Sequence, residues 1–427
     1  MKVQRSYRIC WGFLLLMASL LATGCTLGPR QITQSRLQYN EAVQQTFEEE
    51  VLLNLVRLKY RETPEFVTVT GVAAQYSFDG GASIGGGLEE GAGDALAIGG
   101  SFSRSEKPTI TYAPMRDEAS NRGMLAPVSL ETLVLLARTG WRWDRILRLS
   151  VQNINGIDNA TTAGGPTPDL KPEFEKYLEL CENLQKLQTR REVELTFASK
   201  EDRKVVPIPI SQLDGDFVLD AIGKGYEFER NGESVVLVQD DKYIALVLKP
   251  QAIASIEMDE IAAMLNLERG RAIYEVDLAK EGQIQPAYPP ELYSTDTPVI
   301  NPSVVAHNQN RQDLTVSTRS ILEMMFYLSQ AVQVPQRHLQ GGVVTATVDK
   351  GGNLFDWSKM TENLFQVHVT DTEPECAAVA IPYRGCWYYI DDKDLDSQST
   401  FALLAELISI EIRGGGGGNM PVLTLGI

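Results

Sequence analysis

The chain has 427 residues, with 39 basic against 56 acidic side chains and a net charge of −17. A surface this acidic argues against nucleic acid and anionic lipid headgroups as partners. The length exceeds one ordinary core and predicts two or three domains.

Taken in chain order, residues 1–24 have the parts of an export signal. Lys2, Arg5 and Arg8 form a positive start, and Ile9 to Ala22 is almost wholly apolar. That run is shorter than the roughly 20 apolar residues a spanning helix needs. It ends in Ala22-Thr23-Gly24-Cys25, which resembles the lipobox of bacterial lipoproteins. The resemblance implies cleavage between Gly24 and Cys25 and acylation of Cys25, with palmitate-type chains holding the mature protein on a membrane. One acyl chain anchors weakly, whereas two or more hold stably. Thr26 stands where an aspartate would resemble the inner-membrane retention signal. The resemblance therefore implies the outer membrane, facing the periplasm. Loss of the leader removes three basic residues and leaves the mature chain more acidic still.

Residues 25–125 are read as an amphipathic helix followed by a glycine-rich β-hairpin. Val43, Phe47, Val51, Leu55 and Leu58 recur at helical spacing over 35–60, and Pro64 closes the element. Alternation predicts strands over 66–78 and 94–103, with a third short run at 109–112. Glycines 80, 81 and 85–87 loosen the chain between the first two, and Glu89, Glu90 and Asp94 are loop residues. Residues 126–280 read as an α+β domain. Two short helices are expected over 127–150, capped by Ser129 and stopped at Gly140, with Trp141 and Trp143 as core anchors. A helix over 172–190 buries Cys181. Strands are expected at 193–197, 205–210, 226–230, 235–238 and 243–248, with Asn231-Gly232 as a turn. Short helices at 217–222 and 258–265 and a strand at 272–276 complete the domain. Residues 281–312, with five prolines, read as a linker. A C-terminal α+β domain over 313–412 has helices at 317–333 and 398–412, strands near 342–348, 365–370, 376–382 and 386–390, and Trp357 on a short helix. Residues 413–427 are a glycine hinge and an apolar tail. The fold class is thus α+β and multi-domain.

Chemical motifs are few. Gly81-Ala82-Ser83-Ile84-Gly85 matches the G-x-S-x-G pattern, but the glycines that follow will not make the helix a nucleophile elbow requires. Asp392, Asp394 and Asp396 resemble the start of a calcium loop, yet Ser397 and Leu403 occupy the positions that want Gly and Glu. Asp394, Asp396 and Ser397 instead suit the positive end of the following helix. His307, His338 and His368 stand apart, with no second ligand at zinc spacing. A bridge between Cys376 and Cys386 stays open, because a tight turn at 383–385 would set Cys386 opposite about residue 382 rather than Cys376.

Three segments carry a wider resemblance: Leu52 to Phe66, Pro108 to Tyr112, and Tyr383-Arg384-Gly385-Cys386-Trp387-Tyr388-Tyr389-Ile390-Asp391-Asp392. They resemble a family of Gram-negative outer-membrane lipoproteins with no assigned activity, which implies the lipoprotein class and no catalytic residues. The expected function is that of a non-enzymatic envelope lipoprotein with structural, binding or assembly work, anchored through Cys25. It has a protein partner or forms a homo-oligomer through residues 66–112, and it uses no cofactor and no metal. The alternative is a periplasmic hydrolase with carboxylate acid and base.

Overall fold

The computed structural model describes residues 27–86, 96–115, 118–210, 213–223, 226–232, 234–279, 313–413 and 422–426. The leader, Gly24 and Cys25, the 281–312 segment with His307, and the Gly414–Gly418 hinge lie outside the described residues.

Leu27–Lys59 is one helix, α1, beginning earlier than the apolar spacing alone predicts. Its core-facing part starts at Val51, and Val51, Leu52, Leu55 and Val56 are fully buried. Val67–Gly86 (β1) and Leu96–Pro114 (β2) then form one long antiparallel hairpin with a bulge between Val69 and Gly71. The run at 109–112 is therefore no third strand but the root of β2. Val422–Gly426 (β13, numbered in chain order) pairs in parallel with Gly71–Gln75 of β1, so this sheet has the order β13-β1-β2.

Next come Glu118–Leu125 (α2), Leu130–Arg138 (α3) and Trp143–Ser150 (α4). Ser129 caps α3, accepting from the Thr132 N–H, and Gly140 takes φ 100° where the chain turns away. Trp143 is buried and Trp141 packs against the core. Val151–Ile154 (β3), Ile157–Asp158 (β4) and Glu175–Thr189 (α5) follow, and α5 buries Cys181. Val193–Pro209 (β5) is a single strand where alternation suggests two. Gly215–Gly223 (α6) leads to Tyr226–Asn231 (β6) and Ser234–Leu248 (β7), which unites the predicted runs 235–238 and 243–248. Asn231 pairs with Ser234, so the turn falls one residue later than the expected Asn231-Gly232 pair, with Gly232 as its first central residue at φ 68°. Pro250–Ile253 (α7), Ile256–Leu265 (α8) and Ile273–Leu278 (β8) complete this stretch.

Beyond the 281–312 segment, Asp313–Thr318 (β9) pairs in parallel with β8 and antiparallel with β3. The main sheet runs β4-β3-β9-β8-β7-β5, with β6 on the free part of β7. Strands from both sides of the segment thus share one sheet. The expected helix over 317–333 is shorter, Ile321–Ser329 (α9). Its first residues belong to β9, and Ser320 with Glu323 closes a capping box that fixes the start. Gln336–Gln340 (α10) and Ser358–Thr361 (α11) are short, and Trp357 sits just ahead of α11. Residues 342–348 form no strand. Val348 makes isolated bridges to Leu170 and Leu354 instead.

His368–Thr370 (β10), Ala377–Tyr383 (β11) and Cys386–Asp391 (β12) make an antiparallel sheet of order β10-β12-β11. Arg384 and Gly385 both take positive φ, at 48° and 75°, as a tight two-residue hairpin turn demands. This turn pairs Tyr383 with Cys386, so Cys376 stays exposed and free while Cys386 is buried and free. Leu395–Ile408 (α12) is capped by Asp394, which accepts from the Ser397 N–H. Asp396 pairs with Arg145 at 2.5 Å. The whole is a multi-domain α+β fold, in which one apolar cluster runs from Val51 of α1 to Ile408 of α12.

Candidate functional site

The register of β1 against β2 divides the distal hairpin into two unlike faces. Directly paired residues of an antiparallel ladder share a face, and faces alternate along each strand. Tyr76 with Glu106, Phe78 with Arg104, Gly80 with Phe102, Ala82 with Gly100, Ile84 with Ile98 and Gly86 with Leu96 occupy one face. Ser77 with Ser105, Asp79 with Ser103, Gly81 with Ser101, Ser83 with Gly99 and Gly85 with Ala97 occupy the other. By register, one face therefore carries the aromatic and aliphatic residues, with glycines among them and Glu106 and Arg104 at its base, and the other carries serine and glycine with Asp79 and Ala97. The apolar face continues to the root, where Ile110 and Tyr112 are 41% and 61% exposed. Ser83 lies within a strand rather than at a strand-to-helix turn, so it has none of the geometry of a nucleophile elbow.

The hairpin is long and sparsely supported. At 20 residues, β1 extends about 65 Å. Its extensive contacts among the described elements are between its own strands and with β13. In this sheet β2 is an edge, and β13 covers β1 only at Gly71–Gln75.

The root, by contrast, is gripped. Buried Asn54 donates from Nδ2 to the Glu65 carbonyl at 2.7 Å and accepts from the Glu65 N–H at 3.0 Å. The Val67 N–H donates to Glu50 at 2.7 Å, and the Met115 N–H closes onto the Phe66 carbonyl. Just before the root, the end of α1 is tied to the C-terminal sheet. The Tyr60 hydroxyl lies 2.6 Å from that of Tyr388 and 2.7 Å from His338 Nδ1. Glu62 pairs with Arg384 at 2.6 Å, and the Arg384 guanidinium sits 4.9 Å from the Tyr60 ring centroid. Burial pushes the Tyr60 and Tyr388 phenols up. The bond to Arg384 holds the Glu62 carboxyl down. Burial, with Arg337 and Arg384 nearby, lowers the His338 imidazole. A neutral imidazole at Nδ1 can accept from the Tyr60 hydroxyl, which can in turn accept from Tyr388.

The residues singled out by sequence do not converge. His338 stands on α10 at the root cluster, while His368 is in β10 beside Tyr389. Cys181 is buried in α5, and burial drives its thiol up. Cys386 lies 2.6 Å from Arg337 through Sγ. Among the described residues, no group of His, Cys, Asp and Glu is arranged to hold a metal ion, and no helix is long and apolar enough to cross a membrane. Sequence reading missed the Tyr60–His338–Tyr388 cluster, although Tyr60 and Tyr388 both fall in the segments that carry the family resemblance. The architecture defines an α+β chain bearing a two-faced hairpin on a fixed mount. No family model, curated protein or solved structure matches the chain.

Proposed function

We propose that this is an outer-membrane lipoprotein, anchored through Cys25, that assembles with copies of itself and inserts the Tyr76–Glu106 hairpin into the bilayer as two strands of a shared β-barrel. The observation that carries this reading is the register-defined division of the hairpin into an apolar face and a serine–glycine face. Barrel strands need roughly 9–11 residues with an apolar outside and a small or polar inside. Tyr76–Gly86 and Leu96–Glu106 match that length and pattern. A lone hairpin in lipid would leave the backbone groups of both edges without partners. In a ring of copies, β2 of one chain pairs with β1 of the next, and the edges vanish. Closure takes about eight strands or more, hence about four copies or more. The chain acts in this reading as an assembly protein, not a hydrolase.

The test compares the two faces. Ile84→Arg combined with Ile98→Arg puts charge on the apolar face, where a buried charge costs about 2–4 kcal/mol at the bilayer centre and less toward the rim. Ser83→Arg puts the same charge on the other face. Full-length protein is mixed with phospholipid vesicles and digested with protease, and its mass in detergent is measured by light scattering. Wild type and Ser83→Arg should form multimers and protect the hairpin, while the double variant should do neither. A wild-type protein that is monomeric in detergent and leaves its hairpin open to protease in vesicles would overturn the reading.

A further inference from the structure

Away from the hairpin, a cavity of about 410 Å³ opens between the end of α1, the segment after α9 and the Leu354–Ser358 stretch. Lys59, Gln330, Leu339, Thr347, Phe355 and Trp357 are among the residues around it. Lys59 is only 5% exposed. Its Nζ has two protein acceptors, both neutral oxygens at the long end of the range: Gln330 Oε1 at 3.3 Å and the Gln330 carbonyl at 3.5 Å. The Trp357 ring centroid lies 5.6 Å from Nζ. Among the described residues, no carboxylate pairs with it. The one carboxylate lining the cavity, Asp356, accepts from the Ser358 N–H and hydroxyl instead. Burial alone draws the Lys59 ammonium down to about 7. A buried amine without a counter-ion is costly, and such groups occur where a ligand completes them.

We infer that Lys59 and Trp357 form a binding site for a small carboxylate with an apolar body, the carboxylate seated on the Lys59 amine and the body against Trp357, Phe355 and Leu339. The volume falls in the range of small-molecule pockets, and its walls set Leu339, Leu354, Phe355 and Trp357 beside glutamine, threonine and serine side chains. The third donor of the ammonium, which Gln330 does not use, is available to the ligand. Gln330 is itself fixed, since its Oε1 also accepts from Thr167 at 2.9 Å and its Nε2 donates to the Phe326 carbonyl at 3.2 Å. The lysine end is therefore pre-positioned rather than free to sweep.

The experiment is calorimetric titration of the full chain with butanoate, hexanoate and benzoate, and with hexanamide as the uncharged match. Titrations are run at pH 7 in two buffers of different ionisation enthalpy. At least one carboxylate should bind tenfold or more tightly than hexanamide, with net proton uptake as the bound anion favours the charged lysine. Lys59→Met, which replaces the amine by an uncharged side chain of similar length, should fold and lose both binding and proton uptake. Trp357→Leu should keep the proton uptake but bind several-fold more weakly. If none of the three carboxylates binds, if hexanamide binds equally, or if folded Lys59→Met binds unchanged, the site does not exist.

Discussion

At the scale of single residues, two side chains carry more than their sequence context discloses. Arg319 is fully buried, yet no carboxylate among the described residues bonds to it. Its Nη1 donates to the carbonyls of Arg148, Leu149 and Val151 at 2.9, 3.2 and 3.1 Å, and its Nη2 donates to the Asn159 carbonyl. These are the carbonyls at the C-terminal end of α4 and beyond it, where helix geometry leaves acceptors without partners and favours a cation. The Tyr327 ring covers the guanidinium at 4.1 Å. Arg319→Leu should therefore destabilise the protein by about 3–5 kcal/mol, because four buried carbonyls lose a charged donor at once and, among the described residues, only those of Arg148 and Val151 keep another, from Asn159 Nδ2. Urea denaturation checks this, and a change under about 1 kcal/mol would contradict the role given to the guanidinium. His338 makes the second case. Its imidazole is lowered in the folded protein, so the unfolded chain binds the proton more readily. Its contribution is present in full above the unfolded value near 6.5 and declines as pH falls through that value toward the folded one. Denaturation midpoints should fall between pH 7.5 and pH 5, and His338→Asn should flatten that part of the profile. An unaltered slope in the variant would mean that other groups titrate there.

Elements were legible to different depths, and the reasons are physical. The helices with apolar spacing, at 172–190 and 398–412, are found within a few residues of their expected places. So are the hairpin turns signalled by Asn231-Gly232 and Arg384-Gly385. Strand β5 reads as two in sequence because Lys200-Glu201-Asp202-Arg203-Lys204 interrupts its alternation, whereas pairing with β7 continues past that run and only shifts register between Lys204 and Ile208. The helix expected over 317–333 is shorter at both ends, because Ser317 and Thr318 pair as the end of β9 and the helix stops at Ser329. The hairpin's two faces were half visible. Each strand alternates, but Gly80, Gly81, Gly85 and Gly86 erase the pattern near the tip. Only the register shows that Gly80 stands opposite Phe102 and Gly86 opposite Leu96, so that β2 supplies the apolar groups β1 lacks. The root cluster was not legible at all. Tyr60, His338 and Tyr388 come from three elements, and nothing local in any of them announces the others. Lys59 likewise reads as an ordinary basic residue at a helix end, where a cation is expected on the surface.

At the scale of the molecule, two elements stand out by length, α1 and the hairpin. Helix α1 has 33 residues and extends about 50 Å. Described residues before Val51 are mostly exposed, and the core takes hold only from there. In the proposed reading, the first part of α1 is a stalk between the lipid and the body. At about 65 Å, β1 is the longer of the two. Anchoring itself is open to direct measurement. In cells fed radiolabelled palmitate, the wild-type protein should carry label and Cys25→Ser should carry none and retain its leader. Equal labelling of the two would remove the lipid from this account, while leaving the barrel test to stand or fall separately.

The tie between Tyr60 and Tyr388 also has a consequence in time. The two residues are 328 positions apart, whereas the last pair of β1 with β2, Gly86 with Leu96, is only ten positions apart. Bringing such distant segments together costs about 3 kcal/mol more in chain entropy than closing the hairpin's own loop. Local pairing is fast and distant pairing slow. As the chain emerges, the hairpin can zip long before α1 finds β12. Its root stays unaimed until the C-terminal sheet has formed and Glu62, Tyr60 and Lys59 have docked. If the proposed ring forms, a newly made chain is thereby a poor recruit for it, and becomes a good one only when it has finished folding.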